Sequence, residues 1–305
     1  MLSIIIVNYK TSDDILKCLY SFVKYESYYI NYEFIIVDNN SDDKGLKEIH
    51  KIFPFIKIIY APKNGGFAYG NNLGITNSNY DCILLLNPDT YLEDNSIEKL
   101  YNRIQRAPSI DIVGPKLLFP DGTIQSNLAP KTYLTLWHIF CEQFYLNKIF
   151  EESKFFNSYM QTYMDYNKEK FVEQVSGAVF MFKRSLIDHI GMLDERYFMY
   201  FEETDFCLRA VEKGFKLLYY PESKIFHAGG QSTEAGYSER SNKDFIESYI
   251  YYFKKNFGNF KAYIAIVIML LGSLFRCITL GLVFNKKYII YFYRIKYITK
   301  AAIKI

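Results

Sequence analysis

The sequence predicts an α/β fold on a largely parallel sheet, and two observations carry that expectation. Short continuous apolar runs alternate with amphipathic stretches over roughly the first ninety residues, the pattern of buried strands joined by crossover helices. Three of those runs end in segments crowded with Asn, Asp and Ser. In open α/β sheets the loops at the carboxyl ends of the strands carry the ligand-binding groups.

Ser3 to Tyr9 reads as a buried strand, and Ser12 with Asp13 and Asp14 offers N-cap chemistry to a helix reaching about Tyr25. Glu33 to Val37 is the next strand and runs into Asp38-Asn39-Asn40-Ser41. Helix 43–52, strand 56–60, helix 66–78 and strand 81–86 follow, the last ending at Asn87-Pro88-Asp89-Thr90. A helix over Asp94 to Arg106 precedes a strand over Ile110 to Phe119 and a turn at Pro120-Asp121-Gly122. Residues 130–172 are aromatic and irregular, hold the sole tryptophan, Trp137, and suit an acceptor-facing or packing insertion without assignable chemistry. Val175 to Phe182 resumes a strand, Glu202 to Lys213 forms a helix closed by Gly214, and Phe215 to Tyr220 is a further strand. Ile225 to His227 then delivers a histidine at a strand end.

With 305 residues the chain has room for one large α/β domain and an appendage. Half the residues are apolar, and 29 Tyr with 26 Phe exclude a disordered chain. The net charge of +3 hides an asymmetry, because Ser248 to Ile305 carries ten Lys or Arg and no acidic residue. The remaining residues hold 26 basic and 33 acidic groups, a net of −7. A basic tail on an acidic body points to an anionic partner for the tail, and its apolar content selects a membrane surface over nucleic acid. Five cysteines, an odd number without C-x-x-C spacing, indicate neither a disulfide framework nor a zinc site. The apolar run Ile4 to Val7 is too short for a signal peptide, so the body is expected in the cytoplasm.

Asp89 follows a continuous apolar strand, which places its carboxylate at the sheet's carboxyl edge. Mg²⁺ or Mn²⁺ binds through one or two carboxylates together with substrate phosphates, and a diphosphate would supply the latter. His227 is a candidate second ligand, with Ala228-Gly229-Gly230 allowing backbone close to phosphate. Glu202, Glu203 and Asp205 begin a helix, where carboxylates are favoured by the dipole whatever their role. A functional reading needs one of them in the cleft to accept an acceptor proton, and adjacent helix residues point about 100° apart, so they divide the work. Any one polar loop alone is equally well a turn or a helix cap. Their agreement at one sheet edge is what argues for a site.

These segments resemble glycosyltransferase family 2, in its bacterial rhamnosyltransferase-like branch. The matching stretches are Ser3 to Tyr9, Val37 to Ser41, Asn64-Gly65-Gly66-Phe67-Ala68, Leu86 to Thr90, Ser176-Gly177-Ala178, Asp194 to Glu203, and Asp205 through to Gly230. The resemblance implies a GT-A fold, a Rossmann-like nucleotide-binding mixed sheet flanked by helices, over residues 1–232. It further implies a donor-binding half over about 1–120 and an acceptor half over about 121–232; residues 233–305 lie beyond it and read, from their apolar and basic content, as a C-terminal helical hydrophobic and basic extension. It implies that Tyr9, Asp38 and Asn39 line the nucleoside pocket, that Asn64 and Asn71 sit near ribose and phosphates, and that Asn87 and Asp89 stand at the D-x-D element. Asp89 and His227 would hold the Mg²⁺ or Mn²⁺, Ser176 and Gly177 would lie near the acceptor, and Glu203, with Glu202 and Asp205 beside it, would supply the catalytic carboxylate. The chain departs from the family pattern at Asn87, at Glu203 in place of Asp and at Gln174 in place of Trp. The implied activity is metal-dependent, inverting transfer of rhamnose or another hexose from a nucleotide-diphosphate donor to a glycan or polyprenyl-linked acceptor.

Ala262 to Phe284 is apolar over a length that could cross a bilayer but contains Arg276, with Ser273 and Thr279 on the same face. A central Arg costs roughly 2.5 to 3.5 kcal/mol on insertion scales, which puts an in-plane helix at the inner face of the cell membrane on equal footing with a span. The plainer alternative is a helix packed on the body or on a second copy of the chain. A sugar nucleotidyltransferase would show a Gly-rich basic loop where Asn8-Tyr9-Lys10-Thr11 stands, and Gly65-Gly66 with Gly70 does not make the dinucleotide fingerprint. The non-enzymatic rival is an inactive, membrane-tethered sugar-nucleotide-binding scaffold.

Overall fold

β1, Leu2–Asn8, is buried along nearly its whole length, and the first unit of the fold is assembled on its two faces. The structure is a computed structural model and describes residues 1–26, 30–129, 131–229, 239–282 and 288–302. The expected domain boundary at residues 232 and 233 lies outside the described residues. The chain forms two compact units, one of residues 1–130, 165–198 and 202–229, the other of residues 131–164, 199–201 and 230–305. The aromatic segment 131–164, expected within the first domain, therefore packs with the C-terminal helices.

In the first unit β1 pairs in parallel with β2, Tyr32–Asp38, and with β4, Cys82–Leu86, while β3, Lys57–Tyr60, extends the edge beside β2. The crossovers are α1, Ser12–Tyr25, α2, Gly45–Ile52, and α3, Gly66–Thr76. Leu2, Ile4 and Ile6 pack with α1 and α2, and Ile5 with α3 on the opposite face, as the two-residue period of a strand requires. Ser12 does not cap α1; Thr11 holds the cap position, and the Ser12 hydroxyl donates to Asp43 Oδ1 at 2.8 Å. That carboxylate also accepts from Gly45 N at 3.0 Å, which delays the start of α2 from 43 to 45.

Beyond β4 the sheet becomes mixed. β5 is the two-residue strand Thr90–Tyr91, α4 spans Ser96–Arg106 and β6 spans Ile112–Leu118. β7, Lys170–Val172, and β8, Val179–Lys183, are followed by α7, Ser185–Ile190, and α8, Glu202–Glu212, while α5, Leu136–Gln143, and α6, Leu146–Ile149, belong to the other unit. β9, Leu217–His227, is one strand where two were expected; the apparent break is an irregularity at Pro221 to Ser223, where proline lacks a ladder donor and the register on β6 shifts. The strand order is β3-β2-β1-β4-β8-β6-β9-β5, with β7 also on β9. β8 runs antiparallel to both β4 and β6, so β1, β2, β4, β6 and β9 share one direction. The carboxyl ends of β1, β2, β4 and β9 and the amino end of β8 consequently lie on one sheet edge. Asn8, Asp38, Asn87, His227 and the 176–178 segment all sit there.

In the second unit α5, Leu136–Gln143, begins with a reciprocal cap between Thr135 and His138, and α6 spans Leu146–Ile149. α9, Glu239–Leu282, is broken at Gly258, whose φ of 83° separates helical runs 239–257 and 259–282, and α10 spans Tyr288–Ala302. Arg276 is buried here rather than presented to lipid: Nε donates to the Gln143 carbonyl at 2.9 Å, Nη2 to that of Glu142, and Nη1 to the Tyr291 hydroxyl at 3.1 Å. The guanidinium thus closes the open carbonyl end of α5, where cations are favoured.

Candidate active site

The 87–89 loop leaves β4 and is pinned to the end of β9. Thr90 pairs with His227 in the sheet, Ala228 N donates to the Asp89 carbonyl at 2.9 Å, and Gly229 N to Asp89 Oδ2 at 3.3 Å. These bonds bring Asp89 Oδ1 within 3.2 Å of His227 Nε2, with Asn87 Nδ2 3.4 Å from the same nitrogen. Burial works to raise the Asp89 pKa, but the bond to His227, that residue's charge and the backbone amides outweigh it and hold the carboxyl below the usual range.

Gln125, which no sequence signal singled out, decides which nitrogen of His227 faces Asp89. Its Nε2 donates to the His227 carbonyl at 2.6 Å, so its Oε1, 2.9 Å from Nδ1, accepts the Nδ1 proton. Nε2 is left to share a proton or a cation with Asp89. Donors 2.0–2.1 Å from an octahedral centre lie about 3.0 Å apart, so the Asp89–His227 spacing fits adjacent ligands of Mg²⁺ or Mn²⁺. Among the described residues no cluster of three or more His, Cys, Asp or Glu side chains is poised for a metal.

The loops after β1 and β2 interlock. Asp38 is buried and its Oδ1 accepts from Asn8 Nδ2 at 2.9 Å and from the Ser41 hydroxyl, while Asn39 Nδ2 donates to Asn64 Oδ1 at 3.0 Å and to the Gly66 carbonyl at 2.9 Å. Lys10, Asn40 and Asp42 in these loops adopt φ of 62°, 55° and 54°, the left-handed region that non-glycine residues seldom hold outside turns and sites. Tyr9 stands at the rim, 45% exposed. Asn71 is buried with its amide donating to the Phe67 carbonyl of its own helix at 3.0 Å, apart from this interlocked group.

Of the three carboxylates at the start of α8, Glu203 is half-buried while Glu202 and Asp205 are buried. A Cβ at Gly177 would meet Glu203 Cγ at 3.3 Å, so the side chain lies over the Ser176-Gly177 segment, and the next residue's carbonyl, Ala178 O, accepts from Asn87 N at 2.9 Å. Ser176 Oγ accepts from Ala178 N at 3.2 Å and shapes that turn. Glu202 is buried, its Oε2 lacks a hydrogen-bond partner, and burial together with the Glu203 charge pushes its pKa well above the usual carboxylate range. Gln174 is also buried, with Nε2 on Thr204 Oγ1 at 2.9 Å and Oε1 unpaired. Asp205 does not join the site: it is fully buried, binds Arg209 Nε at 2.8 Å and accepts from the Tyr197 hydroxyl at 3.3 Å. An acceptor hydroxyl has no access to it.

The profile of the family described as Glycosyl transferase family 2 matches residues 3–191. The chain belongs to that family. Agl10 of Haloferax volcanii, a low-salt glycan biosynthesis hexosyltransferase, is 34% identical over 218 residues, 68% of this chain and 61% of its own length. This chain therefore spans less than two thirds of that relative. The N-acetylglucosaminyl-diphospho-decaprenol L-rhamnosyltransferase of Mycobacterium tuberculosis is 24% identical over 65% of this chain and 67% of its own. The mannosyltransferase PcManGT of Pyrobaculum calidifontis, solved with GDP-Man and Mn²⁺, superposes with a TM-score of 0.58 at 11% identity, covering 99% of this chain and 86% of that one. The mixed sheet with flanking helices is accordingly the GT-A fold, followed by a long C-terminal helical region.

Proposed function

We propose that the chain is an inverting, metal-dependent glycosyltransferase that moves a sugar from a nucleotide-diphosphate donor to a hydroxyl of a glycan or polyprenyl-linked glycan. The observation that carries this reading is the Asp89–His227 pair, 3.2 Å apart at the sheet's carboxyl edge. The interlocked loops of Asp38, Asn39 and Asn64 beside it suit a nucleoside, and Asn87 suits the neutral partner of a diphosphate. Glu203 accepts the acceptor's proton while the hydroxyl oxygen forms its bond to the anomeric carbon from the face opposite the leaving group. The electron pair of the breaking sugar–phosphate bond departs with the diphosphate. Mg²⁺ or Mn²⁺ held by Asp89 and His227 would neutralise the charge that collects there. Burial and the neighbouring Glu203 charge favour the neutral form of Glu202, which limits negative charge beside Glu203.

The names of the Haloferax and Mycobacterium relatives support a hexose, with rhamnose first, and the second supports a lipid-linked acceptor. A role in bacterial cell-surface polysaccharide synthesis, at the cytoplasmic face of the cell membrane, follows from that acceptor and from the basic C-terminal region. A thermal-shift panel of nucleotide sugars with Mg²⁺ or Mn²⁺, followed by a transfer assay with the stabilising donors, tests the reading. Stabilisation by one donor with metal-dependent transfer is expected. Donor binding without transfer or hydrolysis would instead make the chain an inactive sugar-nucleotide-binding scaffold.

A further inference from the structure

The helical run 259–282 is apolar on both sides. Ala262, Ala265, Ile266, Met269, Ser273 and Arg276, which recur with the period of a helix, form its buried face. The opposite stripe holds Phe260, Tyr263, Val267, Leu271, Leu274 and Ile278, each 50–78% exposed, where a water-facing helix would carry polar side chains. The patch continues through rings of the 131–164 segment. Phe275 contacts Phe144 at 5.4 Å, Phe144 contacts Phe140 at 4.8 Å, Phe140 contacts Trp137 at 5.7 Å, and Trp137 contacts Phe155 at 4.8 Å, itself 63% exposed. Trp137 Nε1 is bonded to the Phe155 carbonyl at 2.9 Å, so the indole can enter an apolar medium without an unsatisfied donor.

We infer that this continuous face seats the second unit in the plane of an anionic phospholipid surface, without crossing it. The inference rests on the membrane reading above and specifies its geometry. A lipid-encircled span is opposed by α5, which crosses the middle of the helix. A Cβ at Gly272 would lie 2.4 Å from Gln143 Cβ, and Arg276 holds the Glu142 and Gln143 carbonyls, so the inner face is already occupied by protein. Charge selects the partner. From Ser248 onward the chain has nine basic residues besides the buried Arg276 and no acidic one, and Lys261 is exposed beside Phe260 at the start of the stripe. A second copy would set the same cations against each other.

Co-sedimentation of the full chain with vesicles of phosphatidylcholine alone, or mixed with phosphatidylglycerol, tests this. Salt-reversible binding to the phosphatidylglycerol vesicles is expected. Lys261→Ala should weaken it roughly fivefold, and Val267→Asp with Leu271→Asp should abolish it while thermal unfolding without lipid stays unchanged. Binding that survives high salt and alkaline carbonate would mean a span, leaving the membrane reading intact and overturning the in-plane one. No binding to either vesicle, with a dimer in sedimentation velocity that Val267→Asp and Leu271→Asp dissociate, would overturn both. Transfer to a soluble acceptor should be unaffected by these substitutions, which keeps the enzymatic reading a separate question.

Discussion

Gln125 and His227 form a closed reciprocal pair: Gln125 Nε2 donates to the His227 carbonyl at 2.6 Å while its Oε1 lies 2.9 Å from Nδ1 of the same histidine. A histidine ligand binds a metal through one nitrogen only when the other carries the proton, and this amide fixes that choice.

Removing the pair should therefore weaken metal binding without touching either proposed ligand, Asp89 or His227. Gln125→Leu is expected to lower affinity for Mn²⁺, titrated by electron paramagnetic resonance with a nucleoside diphosphate present, by about 10- to 100-fold. Asp89→Asn, which removes a ligand, should lower it further. Native Mn²⁺ affinity in Gln125→Leu would remove the residue from this role.

Glu203 and Asp205 stand two positions apart on α8 and should fail in different ways. Glu203→Gln is expected to lower kcat by about 10²- to 10⁴-fold with donor affinity and thermal stability near native. Asp205→Asn leaves Arg209 without its buried partner and should cost about 3 kcal/mol of stability, while each folded molecule keeps its turnover. Parallel measurement of kcat and Tm separates the two. A Glu203→Gln protein with native turnover would exclude Glu203 as the base.

β1, β2 and β4 were legible because each is a continuous apolar run stopped by Asn or Asp, and the candidate loops were legible because those three stops fall on one edge. β5 was not, since its two residues are a strand only through their pairing with Phe226 and His227. Gln125 carries no local signal at all; its role arises from a partner 102 residues away. Arg276 looked like a cost of membrane insertion because the carbonyls that satisfy it lie more than a hundred residues earlier. Asp205 did offer a clue, the four-residue spacing to Arg209 of a helical ion pair.

Gly66 opens α3 with a φ of 88°, and a Cβ there would lie 2.0 Å from the Phe198 carbonyl oxygen, which itself accepts from Phe67 N at 2.8 Å. Both the left-handed backbone and the close approach exclude a side chain. Gly66→Ala should lower stability by about 2 kcal/mol or more, and it should weaken donor binding as well, because the Gly66 carbonyl anchors Asn39. Calorimetry with and without donor would show both losses; an unchanged Tm would contradict the steric argument.

His138 gives the second unit a dependence on pH whose sign is fixed by its burial. Its Nδ1 accepts from Thr135 N at 3.1 Å and its Nε2 pairs with Ser158 Oγ at 2.9 Å, so the ring caps α5 in its neutral form. Burial, opposed by the Tyr133 backbone, pushes its pKa down from 6.5 to about 4. Between those values the unfolded chain binds a proton that the folded chain refuses, so the contribution is complete above pH 6.5 and is lost as the pH falls toward 4. The loss is on the order of 2 kcal/mol once solvent screening of the partly shielded ring is included. Glu26 works against it in the first unit. Burial raises the Glu26 carboxyl from 4.5 to about 7, even though it accepts from the Ile97 and Glu98 amides, so its contribution declines as the pH rises through that window. The unfolding curve of the native chain therefore mixes two opposite slopes. His138→Gln isolates one of them, because glutamine at this third helical position completes the same reciprocal cap without titrating. The variant should match the native chain near pH 7 and exceed it in Tm near pH 5. Equal Tm values at both pH values would mean that His138 does not titrate below its ordinary range.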